Sequence, residues 1–157
     1  NLPYKTYIHD SITQFNYWNA FGANFQDTSK AMSFGSWKKP EYKEWMAALN
    51  NTRILVDWWK NLPDTNVIFT ANVRDVPSET NKALKVIAPL IYPESGPELV
   101  MGILDYVFYL QSNSSGKREL ITSDLGSIRA KECSGIPLPQ TIQNPTMKVI
   151  MEYFKNE

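Results

Sequence analysis

The sequence predicts an α/β fold: a mostly parallel sheet flanked by helices, with an antiparallel hairpin near the C-terminal end. Three observations carry that expectation. In Lys5–Phe15, KTYIHDSITQF, the β-formers Tyr7 and Ile8 lead to Asp10, which stops the apolar run, and Ser11-Ile12-Thr13 reads as a turn. Asn66–Val73, NVIFTANV, has the same shape, and the amphipathic stretch Glu41–Leu62 lies between the two. A strand, helix, strand order argues for parallel pairing through a right-handed crossover. Further on, Ile103–Gln111 and Arg118–Ser123 flank SNSSGK, a hairpin-type loop. Ligands of α/β proteins sit in the crevice outside the carboxyl ends of the strands. The predicted functional edge therefore gathers Asp10, Ser11, Thr70 and Asn72.

Taken in order, Asn1–Tyr4 is a polar lead-in and Lys5–Asp10 the first strand. Asn16–Lys39 shows no sustained period and reads as a long irregular excursion, a length more often functional than accidental. Its aromatics Tyr17, Trp18, Phe21, Phe25, Phe34 and Trp37, with Lys30, Lys38 and Lys39, suit stacking on bases and contact with phosphates. The competing reading folds the excursion back, with its rings as a small core. Pro40 suits a first helical turn, and Glu41 and Glu44 sit near the positive end of the helix dipole. Tyr42, Trp45, Met46, Leu49, Val56 and Trp59 then form one apolar face.

Pro63-Asp64 ends that helix, and the strand Asn66–Val73 follows. Arg74–Lys85 reads as a polar loop carrying Arg74, Lys82 and Lys85. Val86–Tyr92 is apolar, Pro93–Gly96 a turn, and Pro97–Gly102 the start of a helix. After the hairpin come a short strand, Ile128–Lys131, a proline-punctuated stretch, Pro137–Pro145, and a last amphipathic helix, Thr146–Lys155.

The 157 residues fit one domain. Sixteen basic residues balance sixteen acidic ones, so no global field steers the chain to nucleic acid or an anionic membrane, and any such contact is local. The single cysteine, Cys133, excludes an intramolecular disulfide and a CxxC metal site, and one histidine, His9, excludes a His-rich zinc site. No stretch approaches the roughly 18 consecutive apolar residues of a membrane span. A soluble, intracellular protein is expected.

The order of these motifs resembles RecA-like P-loop ATPases, and among them the short ATP-binding proteins encoded by tailed phages. An apolar strand closes on Asp10-Ser11, and a second strand contains Phe69-Thr70-Ala71 and leads to a basic loop. Ile87-Ala88-Pro89-Leu90, the strand Asp105–Leu110, a hairpin with basic residues and Asn144-Pro145 before the last helix follow in the family's order. The resemblance implies a RecA-like sheet and an ATP-dependent activity on DNA in phage recombination or replication. It implies that Asp10 is the Walker B acid, holding Mg2+ through water beside the β- and γ-phosphates. Ser11 resembles the neighbouring hydroxyl that orients a water, and Asn72 the sensor of the γ-phosphate. Arg74, Lys82 and Lys85 then belong to a DNA-contacting loop, as do Lys30, Lys38 and Lys39 in the excursion, and Arg129 and Lys131 approach a neighbouring subunit's nucleotide.

Three departures stand out. His9 replaces an apolar residue before the acid, Cys133 replaces an arginine, and no GxxxxGK[ST] is present. SNSSGKRE does not substitute, because it lacks the first glycine, has Arg118 for Ser or Thr, and lies between two strands. The expected chain is thus a single domain, 1–157, without its P-loop strand and helix, working as a homo-oligomer or with a partner chain that supplies the P-loop, in the cytoplasm of the host cell. The alternative is a non-catalytic module binding single-stranded DNA or a protein.

Overall fold

The computed structural model describes residues 5–22, 40–77, 85–133, 135 and 138–154. They belong to two units, the first joining Asn1–Arg74 to Pro89–Ile103, the second joining Asp75–Ala88 to Leu104–Glu157.

In the first unit, β1 (Thr6–His9) and β2 (Asn66–Phe69) pair in parallel, with Thr6 opposite Asn66 and His9 opposite Phe69. Between them run α1 (Ile12–Gly22) and α2 (Tyr42–Lys60). Helix α1 occupies the beginning of what the sequence presents as an irregular excursion, and its burial explains the discrepancy. Ile12, Thr13, Asn16 and Ala20 face inward at 3, 4, 1 and 0% exposure, whereas Tyr17 and Trp18 are exposed. Small and polar residues inside with rings outside invert the pattern that apolar periodicity detects. The hydroxyl oxygen of Ser11 accepts the Gln14 N–H at 3.3 Å and caps the helix.

Helix α2 begins where Glu41 donates its N–H to Glu44 Oε2 at 2.6 Å. Its inner face is Ala48, Leu49, Thr52 and Val56, all at 0% exposure, and it packs on α1. Tyr42, expected in that stripe, is 73% exposed. A third helix, α3 (Gly96–Ile103), starts against the chain at Ile91. A Cβ on Gly96 would lie 2.9 Å from the Ile91 carbonyl oxygen, so this close approach requires glycine.

β3 (Val73–Pro77) carries the chain toward the second unit and pairs with β4 (Lys85–Pro89), where a polar loop is expected from Arg74. In that second unit β6 (Tyr109–Ser112) and β7 (Arg118–Ile121) form the antiparallel hairpin around the SNSSGK loop. β9 (Thr141–Gln143), from within the proline-punctuated stretch, adds to the other edge of β7. β5 (Tyr106–Val107) pairs antiparallel with β8 (Lys131–Glu132). Leu120, Ile121, Ala130 and Ile142 are buried here, and α4 (Met147–Tyr153), capped by Thr146, follows β9.

The RecA-like, mostly parallel sheet expected from the sequence is not formed. Among the described residues the β1/β2 pair is the one parallel sheet, beside four helices and small antiparallel sheets. The reason lies in the connections. Parallel strands need a crossover of about a dozen residues or more. Only the run from β1 to β2, holding α1 and α2, provides one that ends in a parallel partner, while the β6–β7 link is a hairpin turn.

Candidate functional site

The carboxyl ends of β1 and β2 bring together residues that are 60 positions apart in sequence. Thr70 N–H donates to the His9 carbonyl at 3.0 Å and closes the parallel ladder, so the residues that follow, Asp10 and Thr70, leave the sheet side by side. The Thr70 hydroxyl donates to Asp10 Oδ1, and Asp10 Oδ2 makes no hydrogen bond among the described residues. The Thr70 carbonyl accepts the Ile12 N–H at 2.9 Å, tying the end of β2 to the first turn of α1. Asp10 and Asn72 are exposed, and Ser11 and Thr70 are half-buried. The edge is open to solvent.

Each residue of the predicted edge can be placed. Ser11 caps α1 through its oxygen and retains a proton to donate. Asn72 is held through its backbone: its N–H donates to the Thr13 hydroxyl at 3.0 Å and its carbonyl accepts the Leu90 N–H at 2.6 Å, leaving the side chain exposed. Thr70 lies on the predicted edge, as its position after Val67-Ile68-Phe69 suggests, and Thr13 joins it: a hydroxyl in the first turn after a strand is the one sequence signal that marks it.

Arg74, expected in a DNA-contacting loop, is turned inward. One guanidinium nitrogen donates to the carbonyls of Ile91 (3.1 Å), Pro93 (3.3 Å) and Glu94 (3.4 Å), and the group lies 4.8 Å from the centre of the Tyr92 ring. Such a cation over a ring, with one nitrogen shared among three carbonyls, braces the turn before α3. Buried Asn16 holds the same turn through Tyr92, accepting its N–H at 2.8 Å and donating to its carbonyl at 3.1 Å.

The other predicted residues belong to the second unit or to segments outside the described residues. In the second unit Arg129 pairs with Asp124 at 2.9 Å, Lys131 donates to the Leu104 carbonyl at 2.8 Å, and Lys85 is exposed at the start of β4. Lys30, Lys38, Lys39 and Lys82 lie outside the described residues.

His9 stands behind the edge, its ring 4.4 Å from Trp59 in an edge contact and 5.2 Å from Phe69 in a stack. Its Nε2 is buried without a partner. Burial holds its pKa below the ordinary 6.5. The folded state therefore disfavours imidazolium, and acidification protonates the unfolded chain first. That contribution is fully present above pH 6.5 and is lost as pH falls through the lower folded value. We expect the thermal midpoint to fall between pH 7 and pH 5, and His9→Phe to flatten that slope when both proteins are followed by circular dichroism.

A second surface lies on α1. Gln14, Tyr17, Trp18 and Phe21 line an open, largely apolar groove of about 400 Å3. Tyr17 stacks on Phe21 at 5.4 Å and meets Trp45 and Tyr92 edge-on at 5.3 and 5.6 Å, and Trp18 is 58% exposed.

Among the described residues no three His, Cys, Asp or Glu side chains cluster to hold a metal. The donors at the strand edge are one carboxylate and hydroxyls, a set that suits Mg2+ with most of its waters retained. No described helix is long and apolar enough to cross a membrane. No protein-family profile, curated protein or solved structure matches this chain.

Proposed function

We propose that the carboxyl edge of β1 and β2 is the magnesium-holding part of an ATP site in a protein that acts on DNA. The observation that carries this reading is the in-register parallel pair, which sets Asp10 beside Thr70 where the chain enters α1. Asp10 would hold the ion through water with Thr70 bonded to its carboxylate, Ser11 would add a hydroxyl, and the exposed amide of Asn72 would meet the terminal phosphate. The start of α1 faces the same edge and favours negative charge through its dipole. Mg2+, when bound, supplies charge neutralisation at the β- and γ-phosphates. Because the 157 residues hold no GxxxxGK[ST], the backbone cradle for those phosphates comes from another polypeptide segment.

The test is residue-resolved. Mn2+ with ATP, added to the 15N-labelled protein alone and with any co-purifying partner, is expected to broaden the amides of residues 10–13 and 70–72 first. Asp10→Asn should abolish that selectivity. Broadening spread evenly over the surface, or none in either sample, rejects the ATP site. A second reading, a non-catalytic module for single-stranded DNA, is favoured by the aromatic groove on α1, since rings stack on bases without regard to sequence. Shifts confined to Gln14, Tyr17, Trp18 and Phe21 on adding oligothymidylate, with residues 10 and 70 unmoved by Mn2+ and ATP, select that reading.

A further inference from the structure

We infer that Thr70 is a positioning residue for the metal-holding acid: its hydroxyl fixes the orientation of the Asp10 carboxylate, so that one oxygen faces outward. The inference rests on the magnesium–ATP reading of this edge. A carboxylate on a short side chain has a broad terminal torsion, so Asp10 alone has no fixed orientation at an exposed strand end. Thr70 supplies one. Its backbone is fixed on both sides, N–H to the His9 carbonyl at 3.0 Å and carbonyl from the Ile12 N–H at 2.9 Å. Its branched Cβ restricts χ1, so the hydroxyl is held in place before any ligand arrives.

That hydroxyl donates to Oδ1, which leaves Oδ2 as the oxygen without a partner among the described residues. The same contact fixes the division of labour at the end of β2. Asn72, two residues on, spends its backbone on Thr13 and Leu90 and keeps its side chain exposed, free to meet a ligand directly. Thr70 acts one step back, through Asp10. Partners that orient a metal-holding group typically change metal affinity by about 10–100-fold when removed.

The experiment titrates Mg2+ against a fixed concentration of ATP and reads nucleotide binding by calorimetry, for wild type, Thr70→Val and Thr70→Ser. Val keeps the shape and the branched Cβ but cannot donate, while Ser restores the donor. Thr70→Val is expected to raise the Mg2+ concentration at half-saturation about tenfold, at the low end because the ion is held through water. Thr70→Ser should return it to within about threefold of wild type. An 15N correlation spectrum of each variant checks that the fold is kept. Equal Mg2+ dependence in wild type and Thr70→Val overturns the inference while leaving the ATP site standing. So does an equal loss in Val and Ser, which would mark a packing role. Absence of Mg2+–ATP binding by wild type, alone and with its partner, is a different failure: it overturns the ATP site and the role of Thr70 with it.

Discussion

Asn16→Ala is expected to destabilise the protein by about 2 kcal/mol, the cost of leaving the part-buried N–H and carbonyl of Tyr92 without their partners. Asn16 is 1% exposed, and its amide makes three bonds: from the Tyr92 N–H at 2.8 Å, to the Tyr92 carbonyl at 3.1 Å, and to the Thr52 hydroxyl at 3.3 Å. Thr52 keeps its own bond to the Ala48 carbonyl, so the burden falls on Tyr92. Alanine satisfies neither the N–H nor the carbonyl and opens a small void between α1, α2 and the turn before α3. Urea denaturation followed by tryptophan fluorescence measures the loss. Asn19→Ala is the comparison: Asn19 lies one turn further on with its side chain bonded to the Phe15 carbonyl and to Asn51, and only about 0.5 kcal/mol is expected there. Equal losses at the two positions would mean that Asn16 does not hold the turn.

Leu49→Ala should cost as much or more, about 3–4 kcal/mol, for a different reason. Leu49 is fully buried in the middle of the inner face of α2, between Ala48 and Thr52. Those neighbours are small or held by hydrogen bonds, so they cannot close over a cavity. The transfer free energy of the lost methyl groups and the void therefore both count. Tyr42→Ala, at the start of the same helix, should change stability by less than about 0.5 kcal/mol, because Tyr42 is 73% exposed. The sequence pattern places both residues in one stripe, so the contrast measures where the packed face of α2 begins.

How much of this arrangement a sequence can reveal depends on which atoms do the holding. The end of the first strand was legible, because Asp10 stops an apolar run of β-formers, and the crossover was legible because α2 is amphipathic. The sequence pattern carries the second strand on to Val73, whereas it ends at Phe69. The hairpin was legible from its turn residues. Helix α1 was not, since Thr13 and Asn16 face inward and Tyr17 and Trp18 outward, and burial there is secured by hydrogen bonds that leave no apolar period. Arg74 reads as a surface cation until the carbonyls of Ile91, Pro93 and Glu94 are seen around it, and those lie 17 to 20 residues away. The expectation of a mostly parallel sheet extrapolated one β-α-β crossover to the whole chain, and the pairs β5/β8, β6/β7 and β7/β9 are antiparallel instead.

The most direct measurement on the strand edge is calorimetric titration of Mg2+–ATP into the 157-residue chain, alone and with any co-purifying partner, beside Asp10→Ala. If Asp10 and Thr70 form the metal-holding edge, wild type binds in at least one of these settings, and the substitution weakens binding by about 10–100-fold without unfolding the protein. Binding that is equal in wild type and Asp10→Ala, or absent from both with and without the partner, would contradict it.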